Sequence, residues 1–296
     1  MFPARMFAPR LFAPRYWATV GATVAEMLAE IFLADLSITR LVAADRSIMR
    51  VGGGTAPSYP AQTLLDLPTA FWQLDELAGP TAVDLSGGGY HGTYVGAPTL
   101  GASGLVPNSA ASLQLAGDVA DHVLLPTALR DALTGATGVT FAAWVKVGRT
   151  GAPAQVAIGI SGAYHALYLS VSTRPACTFN VSGTQRVATA SVALALGATR
   201  FVVGTWSSGD YVRLYVNGVQ VATSPAAYSG AISTNLLASY LGRTVAGNPY
   251  TGNLDEAAIF LSALSPAQVA EQYAAALGLR AATLSITRLV SDDLER

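Results

Sequence analysis

The stretch GNLDEAAIFLSALSPAQVAEQYAAALG, residues 252–278, sets a strand directly against a helix. Asn253 to Phe260 is short and largely apolar, ending in the β-favouring pair Ile259-Phe260. Ser265 is a natural N-cap, and Pro266 stands at the first helical position, where its missing N–H costs nothing. The helix then runs to a stop at Gly278. The carboxylates of Asp255 and Glu256 are adjacent, and regular strand alternation sends them to opposite faces, where they cannot share a substrate.

Upstream of this closing unit the texture is short alternating runs separated by turns. TAFWQLDE (69–76), VTFAAWVKV (139–147), CTFNVSG (177–183) and RFVVGTW (200–206) are examples. With no helical period between them, these runs predict an all-β sandwich or barrel. YVNGVQV predicts a hairpin turning at Asn217-Gly218. Trp72, Trp144 and Trp206 fall inside strand runs and are expected in the core. GGGTAPSYPAQT, residues 52–63, reads as a Gly/Pro/Ser linker.

FWQLDELAGPTAVDLSGGGYHGTYVG (71–96), with its Asp84-x-Ser86-Gly87 turn, and the strand, hairpin and closing runs above occur in an order that resembles the laminin-G-like, concanavalin A-like lectin and glucanase superfamily. The resemblance covers residues 70–277. It implies an antiparallel jelly-roll β-sandwich whose first and last strands lie together, and here both carry Leu-Asp-Glu, at Leu74-Asp75-Glu76 and Leu254-Asp255-Glu256. A fold hosts many functions, so activity has to be argued from the site.

Glycanase members of that superfamily use Glu-x-Asp-x-Glu on one strand, with two carboxyls roughly 5 Å apart. No such triplet occurs. His91, His122 and His165 are scattered and no Gly-x-Ser-x-Gly elbow is present, so the chain is expected not to be an enzyme. Calcium is the cofactor the resemblance implies, through Asp84 of the turn with Asp75 and Asp255, although Gly88 and Tyr90 stand where relatives place Asn side chains. The alternative for Asp84 is that it caps its own turn. For sugar recognition, the candidates are Tyr90, His91 and Tyr94 in one loop, and Tyr164 and His165, with Tyr168, in a second run. The competing reading is that these tyrosines are half-buried packing.

The ends of the chain differ in character. Phe2-Pro-Ala-Arg5, Phe7-Ala-Pro-Arg10 and Phe12-Ala-Pro-Arg15 repeat every five residues, with prolines that forbid a helix. Residues 1–16 are therefore expected to form an extended arm, with Phe2, Arg5, Phe7, Arg10, Phe12 and Arg15 docking on a partner. Residues 17–35 form an amphipathic helix, because Thr19, Thr23, Glu26 and Glu30 make one polar stripe, which also argues against a membrane span. Residues 36–60 read as a β-hairpin and linker, 61–278 as the sandwich, and 279–296 as a C-terminal strand. SITRLV at 37–42 recurs at 285–290, and SIMR at 47–50 echoes it, so the returning strand is expected to join the hairpin, in this chain or a neighbouring one; the competing reading is duplication without contact.

Charged residues are only 12% of the chain and net charge is -1, which excludes a general electrostatic pull toward nucleic acid or an anionic membrane. The single cysteine, Cys177, reads as a buried, inert thiol. The Phe-Ala-Pro-Arg repeats and LVAADR loosely resemble pieces of tailed-phage virion proteins. Three expectations stand: a virion protein (decoration, head-fibre or tail component) displaying a glycan-binding sandwich, with virion proteins, copies of itself and host glycans as partners; a bacterial envelope glycan-binding protein; or a ligand-free spacer or cement domain.

Overall fold

The computed structural model describes residues 57–107, 109–162 and 164–279, together with the backbone of 47–50 and 285–288. The expected arm and its Phe2, Arg5, Phe7, Arg10, Phe12 and Arg15, the amphipathic helix, and the first SITRLV copy lie outside the described residues.

Two antiparallel sheets carry the fold. Sheet I runs in spatial order β12 (Thr184–Thr189), β11 (Pro175–Val181), β10 (His165–Leu169), β9 (Gln155–Ile160), β16 (Ser239–Leu241), β7 (His122–Leu125), β4 (Gly92–Val95) and β3 (Thr81–Ala82). Sheet II runs β15 (Val219–Tyr228), β14 (Asp210–Val216), β13 (Thr199–Ser207), β8 (Gly138–Val147), β17 (Thr251–Phe260), β6 (Ser112–Ala116) and β5 (Thr99–Ala102). The first strand, β2 (Ala70–Trp72), pairs with the last, β17, with Trp72 opposite Ala257. This is the expected jelly-roll sandwich. The Asn217-Gly218 turn joins β14 to β15 with φ of 52° and 80°, the left-handed pair that a two-residue hairpin requires.

Inward side chains of both sheets form one core, with Trp72, Phe141, Ile158, Leu167, Phe179, Val202, Trp206 and Ile259 buried in it. The sheets approach closely where Gly204 of β13 meets Cys177 of β11: a Cβ at position 204 would lie 2.5 Å from the Cys177 Cβ. Sheet II is buried on its other face as well. There Trp144 stacks on Phe201 and Tyr273 and meets Tyr59 edge-on, beneath two helices, α1 (Tyr59–Leu65) and α3 (Pro266–Ala276). Burial on both sides explains why β8 reads as a nearly continuous apolar run.

Helix α3 begins with a capping box, Ser265 with Gln268, and ends in paired bonds from Gly278 N to Ala275 O and Leu279 N to Ala274 O. Asp66, at the end of α1, accepts from both Gln268 and Gln272 and ties the two helices together.

Three expectations need correction. Residues 59–63 are not linker: Ser58 caps α1, Pro60 fits its first turn, and Tyr59 and Thr63 are buried. A further helix, α2 (Thr127–Leu133), follows β7, so the closing helix does not stand alone. Finally, β17 is not regular at Asp255-Glu256. A register shift falls between Asp255 and Ala258, and Glu256 adopts φ 50°. Leu254 and Ala257 both face the inter-sheet core. The extra residue between them carries both carboxyls to the Tyr59 side, which each of them reaches electrostatically.

A second unit comprises Met1–Gly54 and Ala282–Arg296. In it β1 (Ser47–Arg50) pairs antiparallel with β18 (Ser285–Arg288), Ser47 opposite Arg288 and Arg50 opposite Ser285. The two echoing phrases SIMR and SITR are thus strand partners.

Candidate functional site

Asp84 and its turn are held from within. Its Oδ1 accepts from Phe71 N and Ser86 N, both at 2.9 Å, and its Oδ2 accepts from Tyr90 N at 2.8 Å. The buried carboxylate therefore anchors the loop to β2, and the Trp72 indole helps by donating to Tyr90 O. Asp75 is half-buried. Asp255 is buried under the helices, its Oδ2 accepting from Leu105 N at 2.8 Å. Among the described residues no group of three or more His, Cys, Asp and Glu side chains is arranged to hold a metal ion. Asp75, Asp84 and Asp255 do not form the calcium set that the resemblance implies, because Asp84 and Asp255 already serve backbone amides.

Burial pushes the Asp255 carboxyl up to about 7 and Glu256 to about 9, the latter helped by the neighbouring Asp255 charge. Glu256 Oε1 accepts from Gln73 Nε2, while Asp255 Oδ1 and Glu256 Oε2 have no hydrogen-bond partner. This pair lies in the protein interior.

The first aromatic group splits up. Tyr94 donates its hydroxyl to Glu76 Oε2 at 2.6 Å and packs against the inter-sheet core; burial and Glu76 push its pKa up. Tyr90 also packs against that core, while His91 is exposed and accepts from Asp84 N through Nδ1. The second group splits further. His165 is a correction: it is fully buried, its Nδ1 accepts from Asn180 N, and its Nε2 lies 3.0 Å from Ser233 O. Burial lowers its pKa to about 4, so it is a neutral structural ring walled off from any ligand. Asn180, the acceptor of a glycosylation sequon, is 2% exposed and equally unavailable. Tyr164 is exposed at the start of the β10 run.

Tyr168 alternates with core residues Leu167 and Leu169 and so turns to the outer face of sheet I. There it lines a hollow of about 190 Å³ with Val156, Thr178, Gln185, Val187, Thr244 and Asn248. The Thr178 hydroxyl is buried without a partner. Farther along the same sheet, Tyr240 meets His122 edge-on at 5.0 Å and lies under the Arg243 guanidinium. None of the eight strands of sheet I carries an aspartate or glutamate. Thr178, Thr244 and Asn248 carry no local signal in the sequence as lining residues, because they come from separate strands and loops that only the folded sheet brings together.

The chain matches the concanavalin A-like lectin/glucanases superfamily over residues 117–270, and it belongs to that family. Among solved structures it is similar to the binding domain of Paraclostridial Mosquitocidal Protein 1, at 13% identity and TM-score 0.54, covering 71% of this chain and 52% of that one. The binding domain of botulinum neurotoxin DC in complex with SialylT gives 13% and 0.53, covering 71% and 51%. Trypanosoma rangeli sialidase gives 14% and 0.51, covering 83% and 36%. The chain thus spans about half of each toxin domain and about a third of the sialidase, and the shared feature is the fold. Comparison with curated protein sequences gave no match.

Proposed function

We propose that the sandwich is a non-catalytic glycan-binding module whose ligand lies on the outer face of sheet I. The observation that carries this reading is the hollow beside Tyr168, where an aromatic ring, apolar Val156 and Val187, and polar Thr178, Gln185 and Asn248 line one recess, with buried Thr244 bonded to Gly247 O and to the Asn248 amide behind them. A pyranose needs that combination: a ring for its C–H face and neutral donors and acceptors for its hydroxyls. Hydrolysis would need two carboxyls a few ångströms apart beside the sugar. The strands of this face supply none, and the buried Asp255-Glu256 pair sits beyond the other sheet, under α1 and α3. The family and the SialylT complex of a similarly folded domain agree with carbohydrate as the ligand class.

The particle context is part of the same proposal. The repeated Phe-Ala-Pro-Arg units supply an apolar anchor and a cation at regular intervals, suited to successive pockets on an assembly such as a phage virion. The test is binding of the full-length chain to an array of bacterial surface glycans. Saturable binding without release of cleaved sugar is expected; a blank array favours the spacer reading, and cleavage products overturn the non-catalytic one.

A further inference from the structure

A second hollow, about 370 Å³ in volume, lies on the other sheet, at the end of sheet II that the helices leave open. Three facing positions form its polar wall. Asn253 of β17 stands opposite Gln114 of β6 on one side and Lys146 of β8 on the other, so all three side chains share a face. Thr251, two residues before Asn253, joins them on that face. The floor is backbone. A Cβ at Gly148 would lie 2.7 Å from Gly252 Cα, and Gly252 holds φ 127°, so no side chain is available there to fill the space. Leu196 supplies an exposed apolar rim.

The chemistry of the wall is selective. Lys146 is the only lysine of the chain and makes no ion pair among the described residues. Asn253 is 8% exposed, and its Nδ2 donates to Ser112 Oγ at 3.0 Å, which leaves its Oδ1 as an acceptor. Thr251 Oγ1 is buried without a partner. Asp255, two residues along, accepts from Leu105 N and forms no ion pair with Lys146. Lys146 is exposed and hydrated in the free protein, so it can receive an anion that enters the hollow, while the acceptor oxygen beside it disfavours a bare inorganic anion and favours a hydroxyl donor. A ligand carrying a carboxylate and hydroxyls together satisfies both.

We propose that this hollow is a second ligand site, which takes an acidic sugar with its carboxylate on Lys146 and its hydroxyls on Asn253 and Thr251. The site is separate from the face of sheet I, so either reading can fail while the other stands.

Having one lysine makes the test direct. Reductive methylation of the full-length chain with ¹³C-formaldehyde gives a single dimethyl-lysine NMR signal, distinct from that of the α-amino group. Glucuronate and N-acetylneuraminate are expected to move that signal saturably, while methyl glucoside and inorganic phosphate at the same concentration leave it in place. In unmodified protein, calorimetry should show Lys146→Met weakening glucuronate binding roughly ten-fold or more. Thr251→Val should weaken glucuronate but leave acetate, which has no hydroxyls, unaffected. No saturable shift with either acidic sugar, or a shift with phosphate as large as with the sugars, overturns the proposal.

Discussion

Asp255 and Glu256 sit side by side at the bulge of β17, both shielded from water and both acting on the Tyr59 hydroxyl. Desolvation is the main cause that holds a proton on each, and the Asp255 charge adds to it at Glu256. Their folded pKa values, about 7 and about 9, stand above the ordinary 3.8 and 4.5. The contribution is therefore fully present below about pH 4 and is lost as pH rises toward 9. Glu256→Gln should raise the melting temperature at pH 8 by at least roughly 2–4 °C, about 1 kcal/mol for a domain of this size, and change little at pH 4. His165 works in the opposite direction: its pKa is lowered from 6.5 to about 4, so its contribution is lost as pH falls through that range. Melting curves from pH 4 to pH 9 on the wild type and on Glu256→Gln separate the two.

The contact between Cys177 and Gly204 makes a second prediction. A methyl group at position 204 would press on the Cys177 Cβ and Sγ. Gly204→Ala should destabilise the sandwich by about 1–3 kcal/mol, and adding Cys177→Gly should recover most of that loss. Burial pushes the Cys177 thiol up, so it should resist thiol reagents in the native state and react fully in denaturant. Equal destabilisation of the single and double variants would show that the sheets do not meet there.

Asp84 serves three backbone amides, which gives it a structural role that a calcium titration can test. Asp84→Asn should cost about 1–3 kcal/mol, because one of those N–H groups must then face an amide N–H₂. Calcium and EDTA should leave the wild-type melting temperature unchanged. A rise with calcium that Asp84→Asn abolishes would restore the carboxylate to a metal site.

Much of the fold was legible because its signals are local. Ser265, Pro266 and Gly278 bound one helix whatever surrounds it, and Asn217-Gly218 turns a hairpin by its own backbone preferences. The family resemblance, carried by the Asp84 turn and the ordered strand runs, implied that the first and last strands meet, and β2 pairs with β17. What escaped depends on tertiary context. Ser58 and Pro60 serve a linker or a helix start equally well, and the burial of Tyr59 against Trp144 and Phe201 makes them a helix start. Alternation sent Asp255 and Glu256 apart, and a bulge brought them together. The tyrosine-histidine runs marked strands, but which member faces outward depends on register, so Tyr168 lies on the open face while His165 is interior.

The N-terminal repeats lead to a test of assembly. Removing residues 2–15 should leave the thermal transition of the sandwich in place and, on the proposed particle role, abolish incorporation into that assembly. Alanine at Phe2, Phe7 and Phe12 together should do the same, with single replacements graded between. Normal incorporation of the truncated chain would refute a docking arm.

The claim that ligand and open sheet belong together is tested most directly at Tyr168. Using a glycan that the full-length protein binds, calorimetry on Tyr168→Ala and Thr178→Val should show affinity falling by about ten-fold or more for the first and several-fold for the second, with melting temperatures near wild type. His91→Ala, on the turn held by Asp84, should bind as the wild type does. Undiminished affinity in Tyr168→Ala, or loss confined to His91→Ala, would place the glycan elsewhere and contradict the account.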